Sequence, residues 1–166
     1  MIIVNDIIKA IESVAPLNWQ ESYDNAGLQV GGRFQSVSGA VVCLDVTEAV
    51  VDEAISMGYN LIVSHHPLLF KGLKSITGNS YVERIVIKAI QHNIAIYAAH
   101  TNLDNAPEGV SYRMARKLGL TSIRVLDPLC GRLIKLVTYV PSTHVESVRN
   151  ALFDCLLYTS PSPRDS

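Results

Sequence analysis

Asn60-Leu61-Ile62-Val63-Ser64-His65-His66-Pro67-Leu68-Leu69-Phe70 decides how this chain is read. A short apolar run rich in β-branched residues, stopped by two histidines and a proline, reads as a buried strand that delivers polar groups at its exit. Within a strand, adjacent side chains point to opposite faces, so two neighbouring histidines could not share one ligand there. Pro67 takes the chain out of the ladder, and in the loop beyond it both imidazoles can turn toward one point. A metal-binding pair is one reading of the dipeptide. One satisfied core histidine beside one solvated one is the other, and these residues alone leave both open.

The neighbouring segments repeat the pattern. Upstream, the apolar run 39–44 ends in Asp45, and Thr47 is placed to cap a helix carrying Val50, Val51, Ala54 and Ile55 up to Gly58. Downstream, residues 81–93 read as a helix with Val82, Ile85, Val86, Ala89 and Ile90 on one face. The run 94–99 is a further buried strand and ends in His100-Thr101-Asn102-Leu103-Asp104. Another helix carries Val110, Met114, Ala115 and Leu118 before Gly119. Successive strand-helix units imply right-handed crossovers and an α/β fold with a mostly parallel sheet flanked by helices. Parallel strands all end at one edge, so Asp45, His65, His66, His100 and Asp104 are expected there together, where open α/β sheets place their sites. Imidazole and carboxylate suit zinc, iron, manganese or nickel, and the absence of thiolate partners argues against a purely structural zinc knot.

Toward the N-terminus, Asn5 is the expected cap of a first helix with Ile7, Ile8, Ile11, Val14 and Ala15 on its apolar face and Pro16 closing it. The loop from Trp19 to Gly32 leads into a short strand, and Asp24 and Asn25 within it read as turn formers. The loop 70–79 carries Lys71 and Lys74, which could meet a phosphate or simply be solvated. Beyond Asp127-Pro128 a strand over 133–140 and a helix with Val145, Val148, Ala151 and Leu152 read as the start of a new unit.

The whole-chain properties narrow the function classes. At 166 residues and 48% hydrophobic composition the chain can build a real core. A formal net charge of −1 provides no basic field for nucleic acid. No apolar run approaches the roughly 18 residues that span a membrane, and the first residues lack the basic start of a signal peptide, so a cytoplasmic protein is expected. Cys43, Cys130 and Cys155 are too scattered for a disulfide framework or a Cys-x-x-Cys site, and Cys43 reads as a core thiol. Residues 155–165 match the translation of a transposase sequencing adapter. The expectation is therefore a disordered, non-native tail over 155–166, natural sequence up to Asp154, and a longer parent protein.

Together, Trp19 with Asp24-Asn25-x-Gly27-Leu28, Leu44-Asp45-Val46-Thr47, Ser64-His65-His66-Pro67 and His100-Thr101-Asn102-Leu103-Asp104 resemble the Nif-three-like dinuclear metal-centre family, the GTP cyclohydrolase I type 2 homologues. The resemblance covers about residues 1–125, as a first α/β metal-binding half. Residues 126–154 look like the truncated start of the PII- and CutA-like α+β insert of longer members. The resemblance implies two divalent metal ions, with His65, His66 and Asp104 as ligands and His100 beside the metals as a catalytic group or as a support for the ligands. Asp45 matches the family's strand-end aspartate without being carried over as a ligand. The remaining family ligands, a histidine and a glutamate four residues later on a second-half helix, have no counterpart in this sequence, so the fragment itself is expected to be inactive. The implied function is metal-dependent hydrolysis of a nucleotide or related small molecule, with GTP ring opening as one form. No phosphate-binding P-loop accompanies it. A non-catalytic metal-binding regulator or scaffold is the alternative, and the full-length protein is expected to be a homohexamer.

Overall fold

The structure is a computed structural model that describes residues 1–125 and 137–155. The chain divides into two units, Met1–Arg124 and Val125–Ser166.

The first unit is an α/β sheet of four strands, β1 (Gly27–Val30), β2 (Ala40–Cys43), β3 (Leu61–Ser64) and β4 (Ala95–Ala98). Their order is β1-β4-β3-β2, with β2, β3 and β4 parallel and β1 antiparallel to β4. The expected mostly parallel sheet is therefore present, with an antiparallel strand on one edge. Helices α1 (Val4–Val14), α2 (Glu48–Ser56), α3 (Tyr81–Gln91), α4 (Thr101–Asp104) and α5 (Val110–Lys117) accompany it.

Alternation along the strands sorts the core into two layers. Ile62 of β3 and Ile96 of β4 are paired across the ladder and pack with Val51 and Ala54 of α2 and Ile85, Val86 and Ala89 of α3. Their neighbours Leu61, Ala95 and Tyr97 point the other way and pack with Val4 and Ile8 of α1. Every residue of β4 is buried, which explains its uninterrupted apolar sequence. Burial pushes the Tyr97 hydroxyl well above its ordinary pKa, aided by the Glu12 carboxylate that accepts its hydrogen bond at 3.3 Å.

Local signals set the helix ends. Thr47 Oγ1 accepts the Val50 N–H, and Ser80 Oγ accepts the Glu83 N–H. Glu83 returns the contact. Its carboxylate accepts the Thr77 N–H and hydroxyl, the Asn79 N–H and the Ser80 hydroxyl, which lowers its pKa to about 2 and ties the loop ahead of α3 to the helix. The first helix departs from expectation. It starts at Val4 with Ile3 as the flanking residue, and Asp6 Oδ2 accepts the Ile3 N–H at 3.0 Å, so Asn5 lies inside the helix rather than capping it.

Gly31 shows why the turn out of β1 needs glycine. Its φ is +91°, and an added Cβ would stand 2.8 Å from Ala95 Cα.

In the second unit, a single turn over Ser142–His144 leads into α6 (Val145–Cys155), where a helix was expected. Of the strand expected over 133–140, residues 133–136 lie outside the described residues, and residues 137–140 form no strand. Most of the tail expected over 155–166 also lies outside them. Among the described residues no helix is long and apolar enough to cross a membrane.

Candidate metal centre

The exits of the three parallel strands are stitched together by main-chain bonds that continue past their ends. His65 N–H donates to Cys43 O at 3.1 Å, His66 N–H to Leu44 O at 2.9 Å, and Ala99 N–H to Ser64 O at 2.9 Å. Residues just beyond β2, β3 and β4 are thus held side by side before any side-chain contact is considered. From this edge, His65, His66 and His100 bring their imidazoles together, with ring centroids 5.0, 5.3 and 5.7 Å apart. One ring nitrogen from each lies within 4.8 Å of the others, which makes the three a group that could hold a metal ion. Asp104, one turn beyond His100 on α4, places Oδ1 3.7 Å from His65 Nε2.

The hydrogen bonds at the far side of each ring fix which nitrogen is available. His65 Nδ1 is 2.9 Å from the Ala99 carbonyl oxygen, which can only accept, so the ring proton is on Nδ1. His66 Nδ1 donates to Asp45 Oδ1 at 2.7 Å. His100 Nδ1 donates to Asp24 Oδ1 at 2.8 Å. In all three imidazoles Nδ1 is committed to oxygen, which leaves Nε2 as the nitrogen free to face a metal, the arrangement in which outer oxygen acceptors orient metal-binding histidines. Two nitrogens on one tetrahedral zinc, each at about 2.05 Å, stand about 3.3 Å apart. The 4.8 Å spread is therefore wider than a single closed tetrahedral site.

The surroundings differ from ring to ring. His65 and His100 are four-fifths buried at the side chain, whereas His66 is about half exposed and Asp45 mostly exposed. His66 also borders a hollow of about 310 Å³, lined by Asp45, Thr47, Pro67, Leu68 and Tyr81 among others. Phe70 stands edge-on to His100, with centroids 6.3 Å apart. Lys71 and Lys74 are exposed on the loop that follows. Cys43 packs against the core as expected, and burial, with the nearby Asp45 charge, pushes its thiol pKa up, so it offers no thiolate.

All five strand-end candidates lie at one edge, linked as the distances describe. The sequence reading missed Asp24. Read as a turn former, it is instead a carboxylate with no exposed side-chain surface, bonded to His100 and Thr101. Its burial acts to raise the carboxyl pKa, but the bonds from the Thr101 hydroxyl, the His100 ring and the Asn25 and Thr101 amides outweigh that and hold it below its ordinary value. The cause is the antiparallel β1, whose first residue pairs Gly27 with Ala98 and so brings the preceding loop to the C-terminal end of β4. No local pattern encodes that pairing.

Comparison with known proteins places the chain in a family. The family described as Duf34/NIF3 (NGG1p interacting factor 3) matches residues 2–163. A relative from Halalkalibacterium halodurans named GTP cyclohydrolase 1 type 2 homolog is 44% identical over 147 residues, which is 88% of this chain and 40% of the relative. The crystal structure of a Bacillus cereus protein related to NIF3 superposes with a TM-score of 0.72 at 42% identity, covering 92% of this chain and 42% of that one. A Staphylococcus aureus hypothetical protein matches with a TM-score of 0.70 at 43% identity, over 75% of this chain and 35% of that one. The chain spans about 40% of the length of the curated relatives it matches. It belongs to the Duf34/NIF3 family.

Proposed function

We propose that this member of the Duf34/NIF3 family contributes one half of a two-metal hydrolase site that acts on a nucleotide or related small molecule. The observation that carries the reading is the shared orientation of His65, His66 and His100, each with Nδ1 bonded to oxygen and Nε2 left free, beside the Asp104 carboxylate. This donor set of neutral nitrogens and carboxylate oxygen fits zinc, iron, manganese or nickel. Divalent ions in such a setting supply Lewis acidity and water acidic enough to ionise near neutral pH.

The roles of the residues follow from their positions. His65 and His66 offer Nε2, and Asp104 offers its carboxylate, as ligands. His100, mostly buried and next to both, is the proton carrier, since a histidine can take up a proton from water and return it to a leaving group. The hollow beside His66 receives the substrate, and Lys71 and Lys74 lie on an exposed loop where phosphate oxygens could be met. Relatives that carry the name GTP cyclohydrolase 1 type 2 homolog support guanine ring opening as the finer form of this reaction. A cytoplasmic homohexamer for the full-length protein belongs to the same proposal.

Metal analysis of the 166-residue chain and its variants, with turnover of a nucleotide panel by the full-length protein, tests the reading. His65→Ala and Asp104→Ala should each reduce bound metal, while His100→Ala should keep metal and lose turnover. Metal content unchanged in His65→Ala would sink the site. Metal binding without turnover of any nucleotide would favour a regulatory or scaffold protein instead.

A further inference from the structure

Asp24 has four donors and nothing to give. Its Oδ1 accepts the Asn25 N–H at 2.7 Å and His100 Nδ1 at 2.8 Å, and its Oδ2 accepts the Thr101 N–H at 3.0 Å and the Thr101 hydroxyl. The hydroxyl is itself fixed in direction, because Thr101 Oγ1 accepts the Glu21 N–H at 2.9 Å and so turns its own proton to Asp24. Two of the four donors are main-chain amides that cannot reverse their polarity. With no exposed side-chain surface, Asp24 has no water to take the place of these partners. A carboxylate in this position is an acceptor only, and the remaining movable proton, that of the His100 ring, must lie on Nδ1.

We infer that Asp24 is a positioning residue that holds His100 with its proton on Nδ1, and thereby keeps the Nε2 lone pair available to the cluster formed with His65 and His66. Left to itself, a neutral histidine ring favours the opposite tautomer, with the proton on Nε2, which would present a donor where the cluster needs an acceptor. Asp24 reverses that preference and also fixes the ring plane, since the same carboxylate is clamped to the first residue of α4. The equivalent anchors differ in kind. His65 is oriented by a main-chain carbonyl, and His66 by an aspartate whose side chain is mostly solvent-exposed. Among the three, only the His100 anchor is a buried charge.

The tautomer rests on the hydrogen bonds alone, and its meaning for proton transfer rests on the function proposed above. Long-range proton–nitrogen ring correlations on the nitrogen-15-labelled 166-residue chain, without metal and about two pH units above the ordinary histidine value, read the tautomer directly. Signals are assigned from His65→Gln and His100→Gln. The expected wild-type pattern is Nδ1–H for His100, changing to Nε2–H in Asp24→Ala, while His65 keeps its Nδ1–H pattern and reports that the strand exits remain folded. A wild-type His100 already in the Nε2–H form overturns the inference without any variant. So does an Asp24→Ala chain in which His100 stays in the Nδ1–H form. Should Asp24→Ala disturb the His65 signal, Asp24→Asn, which keeps the side-chain volume, takes its place with the same expected loss of a pure Nδ1–H pattern. Zinc titration of wild type and variant follows. Zinc affinity within about twofold of wild type is expected for the variant, because His65, His66 and Asp104 are the ligands and His100 is the proton carrier. Zinc affinity lost together with the tautomer would make His100 a ligand and would overturn the positioning of a proton carrier. A wild-type chain that shows the expected tautomer but binds no zinc fails the proposed function and leaves the tautomer assignment standing.

Discussion

Asn102 is fully buried and bridges two elements, accepting the His100 N–H on its side-chain oxygen at 2.9 Å and donating to the Ala15 carbonyl at 2.7 Å. Asn102→Leu keeps most of the volume and removes both partners at once, leaving the His100 amide and the buried Ala15 carbonyl without bonds. Each unpaired group costs about 1–3 kcal/mol, so the expected loss is about 2–6 kcal/mol. That is a large share of the roughly 5–15 kcal/mol available to a domain of this kind. With a urea slope of about 1–3 kcal/mol per molar, the unfolding midpoint should fall by about 2 M. Trp19, the sole tryptophan, lies in the same unit and reports the transition by fluorescence. Asn105→Ala is the control. Asn105 sits three residues further on, bonds the Trp19 carbonyl and the Glu21 carboxylate, and is exposed, so water replaces its bonds and the cost should stay below about 1 kcal/mol. If the two variants unfolded at the same urea concentration, the argument from burial would be refuted.

Three further outcomes are expected. Gly31→Ala should destabilise by at least about 2 kcal/mol in the same assay, because it combines a left-handed backbone with a Cβ pressed on Ala95; a wild-type midpoint would count against both causes. Glu83 has a folded pKa lowered to about 2, so its contribution is present above the ordinary carboxyl range and is lost as pH falls from about 4.5 toward 2. The gap in melting temperature between wild type and Glu83→Gln should therefore close across that window, and a gap constant with pH would contradict it. Asp45→Ala should weaken metal binding about 10- to 100-fold through loss of the His66 anchor while leaving the urea midpoint near wild type, since Asp45 is exposed; isothermal titration with zinc reads the first and fluorescence the second.

Much of the sheet was legible because its signals are local. Val50, Val51, Ala54 and Ile55 after Thr47 combine a cap with helical spacing, and Ile85, Val86 and Ala89 show the spacing alone. The buried runs that became β3 and β4 had only one way to hide both faces. Their parallel arrangement then predicted a shared exit for Asp45, His65, His66, His100 and Asp104, and that exit is where the structure places them. What was not legible depends on long-range pairing. The antiparallel addition of β1 beside β4 joins residues about seventy apart, and with it comes the role of Asp24. The turn of helix over Thr101–Asp104 was also hidden, since its four residues are too few for any periodic signal. Asn5 misled for a different reason. A cap-type residue was present, but Asp6 reaches back to Ile3 and starts the helix earlier.

The three imidazoles are held by unequal kinds of acceptor, and this divides the edge into fixed and adjustable parts. The carbonyl of Ala99 belongs to the main chain, so any substitution at position 99 that preserves the strand exit leaves His65 oriented as before. Positions 24 and 45 have no such insurance. A single codon change there replaces a charged acceptor by a neutral one, and with it alters the basicity of His100 or His66 without touching either ring. For directed evolution, one histidine is a constant and two are dials: substitutions at residue 45 would vary metal binding through His66, and substitutions at residue 24 would vary the orientation and proton chemistry of His100.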